Sequence, residues 1–167
     1  MQETPQQYAQ RVLGYLKGKD TMAVLTATPA ELPKLIKGVA KKRLDERPAP
    51  DKWSATMILA HMADTEQVYA FRLRLILGAN GIGIQGFDQD AWAATFDYAS
   101  HDPAVSLADF RAVRERNLRM LAALRKKQWD NYGMHSERGK ETIKRVVDLM
   151  AGHDLNHLRQ VRAIVGK

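Results

Sequence analysis

The sequence predicts an all-α fold, a four-helix bundle with short extra helices in the connections. Three observations lead there. Apolar residues recur at helical spacing in three long runs, near residues 54–77, 106–127 and 142–165. An interrupted helical segment precedes residue 40, and no stretch is convincingly strand-like. Neither an internal repeat nor a low-complexity tract divides the chain, so its 167 residues are expected to form one domain, 1–167.

Each element has its own local justification. Thr4 followed by Pro5 reads as an N-cap with proline at the first helical position, opening a helix through Tyr8, Val12, Tyr15 and Leu16. Asp20 caps a short second piece, Thr21 to Thr26. Thr28-Pro29-Ala30-Glu31 has a capping-box pattern and is expected to open a further segment, with Pro33 kinking or loosening it. A basic connection bearing Lys41-Lys42-Arg43 and Pro48-Ala49-Pro50 follows.

Ser54 caps the next helix, and Trp53 before it is placed to pack on Ile58 as a hydrophobic staple. After this helix, Gly81-Ile82-Gly83-Ile84-Gln85-Gly86 matches G-x-G-x-x-G in letters only. A dinucleotide site needs a strand before the glycines and a helix after them, so a loop is expected. Asp88 caps a short helix through Trp92 and Phe96. His101-Asp102-Pro103 is a turn, and Ser106 caps a long helix whose Arg111, Arg114 and Arg119 read as solvated flanks. Trp129 to Lys140 reads as irregular, with room for a short hairpin. Thr142 starts the last helix.

Composition excludes several classes of function. With no cysteine, disulfides, thiolate nucleophiles and cysteine-held metal are ruled out. No apolar run approaches a membrane span, and Met1-Gln2-Glu3-Thr4-Pro5 lacks a signal pattern, so a cytoplasmic location and no membrane partner are expected. The net charge of +7 raises nucleic acid as a partner. The basic residues are nevertheless dispersed and carry no interleaved aromatics, which argues against it and favours small anionic substrates.

The informative residues are histidines. His153 and His157 lie four apart on the apolar side of the last helix, with Val146, Met150, Val161 and Ile164. Residues so spaced share a face, and two imidazoles there can converge on one divalent ion. His61 lies on the inner side of the helix carrying Ile58, Thr65 and Val68, and supplies a third candidate ligand. The alternative is three core histidines hydrogen-bonded to neighbouring helices. Asp64, one turn from His61, is read as a partly exposed carboxylate paired with a basic neighbour, with an acceptor orienting an imidazole and a metal ligand as the alternatives. His135 is read as a surface loop residue and His101 as part of its turn.

The string Lys52-Trp53-Ser54, His61-Met62-Ala63-Asp64, Arg72-Leu73, and the terminal His153-Asp154 with His157, resembles the DinB-like family of four-helix-bundle metalloproteins. The resemblance extends from about Asp20 to the C-terminus. It implies that His61, His153 and His157 bind a divalent ion, zinc or nickel first. It also implies kinship with bacillithiol S-transferases and a mycothiol-dependent maleylpyruvate isomerase, and with proteins named only as metal-dependent hydrolases.

Three neutral imidazoles leave coordination positions open, which marks a catalytic rather than a structural site. The first functional expectation is a metal-dependent S-transferase that activates a low-molecular-weight thiol against a small electrophilic substrate. The second is a metal-dependent hydrolase that activates water. The third is a non-enzymatic, metal-stabilised binding or stress-response module. The oligomeric state, with a homodimer as one option, is left open.

Overall fold

The computed structural model describes residues 3–166; Met1 and Gln2, part of the N-terminal stretch read for a signal, lie outside the described residues. Thr4 caps α1 (Pro5–Tyr15) in a reciprocal capping box with Gln7, as the Thr-Pro pattern predicts. α2 spans Thr21–Ile36 without a break, capped by Asp20. The expected second start at Thr28 is therefore absent. Thr28 is buried inside the helix, and its hydroxyl donates to the Val24 carbonyl instead of capping anything. Pro29 and Pro33 sit within α2, and the Leu25 carbonyl that Pro29 leaves without its helical donor accepts from Arg114 instead.

A short α3 (Lys41–Asp45) precedes the long α4 (Ala55–Gly78), which Ser54 caps. Trp53 packs against the apolar cluster that contains Ile58, as a staple should. α5 (Gln89–Thr95) starts at Asp88. α6 (Pro103–Ala122) starts one turn earlier than expected: Asp102 caps it and Pro103 occupies the first turn, while Ser106 is buried within it. α7 (Ile143–Val165) starts from Thr142 and closes on Gly166 in the left-handed conformation. Among the described residues, no helix is long and apolar enough to cross a membrane.

The connections hold one surprise. The G-x-G-x-x-G stretch contributes β1 (Ile82–Ile84), which pairs in parallel with β2 (Tyr132–His135); β2 pairs antiparallel with β3 (Gly139–Thr142). Three- and four-residue strands carry too little alternation to show in the sequence. The inner face of this sheet presses on α4, because Gly133 has no side chain where Ile84 and Ile76 crowd in.

α2, α4, α6 and α7 form the bundle, with α4 and α2 each packed on both α6 and α7, and α1 laid along α7. The core falls into two apolar halves. One gathers Leu25, Leu73, Ile76, Leu121, Val146 and Met150; the other gathers Leu32, Ile58, Met62, Phe110, Leu158 and Val161. Between them, every bundle helix turns polar: Thr28, then His61, Thr65 and Glu66, then Arg114 and Asn117, then His153, Asp154 and His157.

Gly152 sets how closely α1 approaches α7. A Cβ there would lie 2.4 Å from the Val12 carbonyl oxygen. Gly152→Ala must push α1 outward, and we expect a loss of about 1–3 kcal/mol, read as a lower melting temperature.

Candidate metal centre

α4 and α7 run side by side at the polar level, and their inward faces bring the three predicted histidines together. His153 Nε2 lies 3.0 Å from His61 Nε2 and 3.1 Å from His157 Nε2. All three ring nitrogens lie within 4.8 Å of one another, and all three residues are buried. Two nitrogens each about 2.1 Å from a shared ion are at most about 4.2 Å apart, so both measured spacings suit a common ion.

Hydrogen bonding supports the same conclusion. His157 Nδ1 lies 2.7 Å from Gln160 Oε1, an acceptor, so Nδ1 carries the proton and Nε2 presents a lone pair inward. A single proton on His153 Nε2 cannot serve both neighbouring nitrogens well. One cation can serve all three. Thr65 Oγ1 stands 3.3 Å from the His61 ring nitrogens, and the Trp53 ring covers His61 at 4.8 Å between centroids. The donor set therefore fits a divalent ion held by nitrogen.

Burial is the main force on these rings. It holds the pKa of His61 and His153 well below the ordinary imidazole value, helped by the neighbouring imidazoles. It brings His157 down to about 4, against a smaller upward pull from Gln160. All three present neutral, ligand-competent nitrogens near neutral pH.

Beside the triad lies an ionic network that the sequence did not reveal. Arg114, expected on a solvated flank, is 1% exposed. It donates to Glu66 at 2.7 and 3.0 Å, to Asp154 at 2.6 and 3.1 Å, and to the Leu25 carbonyl at 3.1 Å. Burial opposes its charge, but Asp154 and Glu66 outweigh burial and raise its pKa. Asn117 donates to Glu66 at 2.7 Å and accepts from Arg74 at 3.0 Å. Asp154 follows His153 directly, so the network and the triad share a turn of α7.

Other expectations change. Asp64 neither pairs with a basic neighbour nor orients an imidazole; it accepts from the buried Tyr98 hydroxyl at 2.6 Å. His135 is buried rather than exposed, because it lies on the inner face of β2, two residues from Gly133. His101 stays at its turn, where its ring meets the Phe96 carbonyl.

His157, Asn156, Gln160 and Trp53 border a cavity of about 650 Å³, whose walls include Arg11 and Arg47. The walls carry both signs of charge, Arg43 and Lys52 with Glu3, Glu46, Asp51 and Asp90, and Arg11 is already paired with Glu3 at 2.9 Å.

A family model described as the DinB superfamily matches residues 25–161. YfiT of Bacillus subtilis strain 168, provisionally named a metal-dependent hydrolase, is 25% identical over 140 residues, covering 83% of this chain and 78% of its own. An Oceanobacillus iheyensis protein with the same provisional name is 24% identical over 138 residues, 80% of each chain. The solved structure of Bacillus subtilis YfiT, described as an unusual four-helix bundle, matches with a TM-score of 0.79 at 23% identity, over 87% of this chain and 86% of that one. That match establishes the fold.

Two outcomes follow from the buried polar level. Arg114→Met strands two carboxylates and should cost about 3–5 kcal/mol, whereas combining it with Glu66→Gln and Asp154→Asn should restore much of the stability in urea unfolding. The histidine pKa values are lowered on folding, so their contribution is complete above about pH 6.5 and is lost as pH falls below it, through about 4 in the case of His157. In chelator, the melting temperature should fall from about pH 7 to about pH 5, before ordinary carboxylates titrate.

Proposed function

The chain belongs to the DinB superfamily, and on that premise we propose that it is a metal-dependent enzyme in which His61, His153 and His157 hold a divalent ion, zinc or nickel first. The convergence of three Nε2 atoms in a buried layer that borders a cavity carries this reading. When bound, such an ion supplies a nucleophile near neutral pH by drawing the proton from a coordinated thiol or water.

The surrounding residues have separate tasks. Gln160 fixes the ring orientation of His157, and Thr65 stands beside His61. Trp53 screens His61 from solvent on one side. The cavity wall offers charges of both signs, which suits a polar small molecule. With no cysteine in the chain, any thiol must arrive as a substrate.

The first reading is transfer of a low-molecular-weight thiol onto an electrophilic carbon, as the resemblance to bacillithiol S-transferases implies. The second is hydrolysis, favoured by the provisional names of the Bacillus and Oceanobacillus relatives. Both place a one-domain protein in the cytoplasm with a small-molecule substrate.

Elemental analysis should find about one equivalent of divalent metal in the protein and little in His61→Ala or His157→Ala. Full retention by both variants would end the triad proposal. Gln160→Ala should keep the metal but bind it about 10–100-fold more weakly. With metal loaded, thiol consumption that requires an aryl-halide electrophile marks the transferase, and ester turnover without thiol marks the hydrolase. Neither activity, with metal raising the melting temperature, marks a binding module.

A further inference from the structure

A second cavity, of about 750 Å³, lies along α4 beyond the histidines and shares no lining residue with the one beside His157. Its walls are mainly apolar and aromatic. Phe87 and Trp92 stack at 4.6 Å between centroids, Trp92 and Phe96 meet edge-on at 5.6 Å, and Phe71 stands across from them on α4. The volume is that of a small-molecule site.

One cation faces this space. Arg72 is 6% exposed, and its side chain lies at the cavity wall. Its Nη2 donates to the Gln85 carbonyl at 2.7 Å, and its guanidinium carbon is 5.8 Å from the centre of the Phe87 ring. Those contacts use few of its five N–H donors. Among the described residues, no carboxylate comes within ion-pair distance of it. Glu141 and Glu137 attract it from beyond contact distance, and Glu141 is committed to Arg138 at 2.7 and 3.0 Å.

His135 adds an unpartnered donor in the same region. It faces α4 from the inner side of β2, and its Nδ1 accepts the Glu137 N–H at 3.2 Å, leaving the proton on Nε2. Nε2 is buried and has no hydrogen-bond partner among the described residues. Burial brings this ring down to about 4, so it is neutral and adds no second positive charge beside Arg72. Burial also lowers the Arg72 pKa, consistent with a guanidinium short of compensation. A buried guanidinium with no carboxylate in direct contact keeps donors to offer, and a bound anion would pair with them.

The cavity is polar at its other end too. Asp64 lies eight residues before Arg72 on α4, about 12 Å along the helix, and is engaged by the Tyr98 hydroxyl. Its charge repels an anion from that end and so directs it to Arg72. We infer that this cavity is a binding site for a small aromatic carboxylate, with the ring against Phe87, Trp92 and Phe96 and the carboxylate on Arg72. Arg72 provides the paired donors that a planar carboxylate takes. Phe71 and Phe96, 63% and 49% exposed, form the rim that a bound ring would cover.

Benzoate titrated into the full-length protein, followed by tryptophan fluorescence and amide NMR shifts, tests this. Benzoate should bind saturably, and benzyl alcohol, its uncharged counterpart, should bind at least about tenfold more weakly. Arg72→Met should weaken benzoate by a similar factor and erase the difference between the two probes. Phe71→Ala with Phe96→Ala leaves the core intact and should also weaken benzoate about tenfold. His157→Ala should bind benzoate as the parent does, which separates this site from the metal proposal. Absence of saturable binding, equal affinity for the two probes, or unchanged affinity in the double alanine variant would overturn the inference. So would gel filtration showing a dimer that the double alanine variant breaks, since the patch would then bind a second copy of the chain.

Discussion

Arg114 puts a permanent positive charge in the driest part of the bundle, and the arrangement of the other three helices follows from its needs. From α6 it reaches a carboxylate on α4, another on α7 and a backbone carbonyl on α2. Slipping α4 or α7 by a turn would break an ionic contact in a medium where its loss is severe, and slipping α2 would disturb the hydrogen bond to its carbonyl. Apolar side chains above and below fill space but tolerate many registers. The guanidinium selects one of them.

That selected register is also what makes the histidine cluster. Asp154 adjoins His153, and Glu66 lies five residues beyond His61, so the contacts that align α4 with α7 for Arg114 align them for the imidazoles. The three imidazoles thus inherit their alignment from a neighbouring ionic layer. This is the support that a site built on rigid helices requires. The same layer explains why the rings are dry, neutral and crowded, with lone pairs facing one another.

The parts of this design that the sequence announced are those written in local spacing. The four-residue interval of His153 and His157 and the caps at Thr4, Asp20, Ser54, Asp88 and Thr142 each depend on residues within one or two turns. Arg114 was illegible because its partners are 40 and 48 residues away, and an arginine on a helix flank ordinarily faces water. Asp64 was misread for the same reason: its partner, Tyr98, comes from a connection. The stretch from Trp129 left room for the β2–β3 hairpin, but β1 and the burial of His135 escaped notice because they depend on a parallel pair that joins residues about fifty positions apart. Thr28 misled in the opposite sense. A capping pattern is persuasive locally, but at that point the chain was already committed to helix.

The proline at position 29 has a consequence for how the molecule assembles. Lacking an N–H, it cannot engage the Leu25 carbonyl four residues back, and Arg114 supplies the donor from another helix. The second helix cannot complete its own backbone ladder in isolation; the missing rung comes from a distant side chain. Its ordering is therefore coupled to docking of the sixth helix, and the two should form and melt as one cooperative unit.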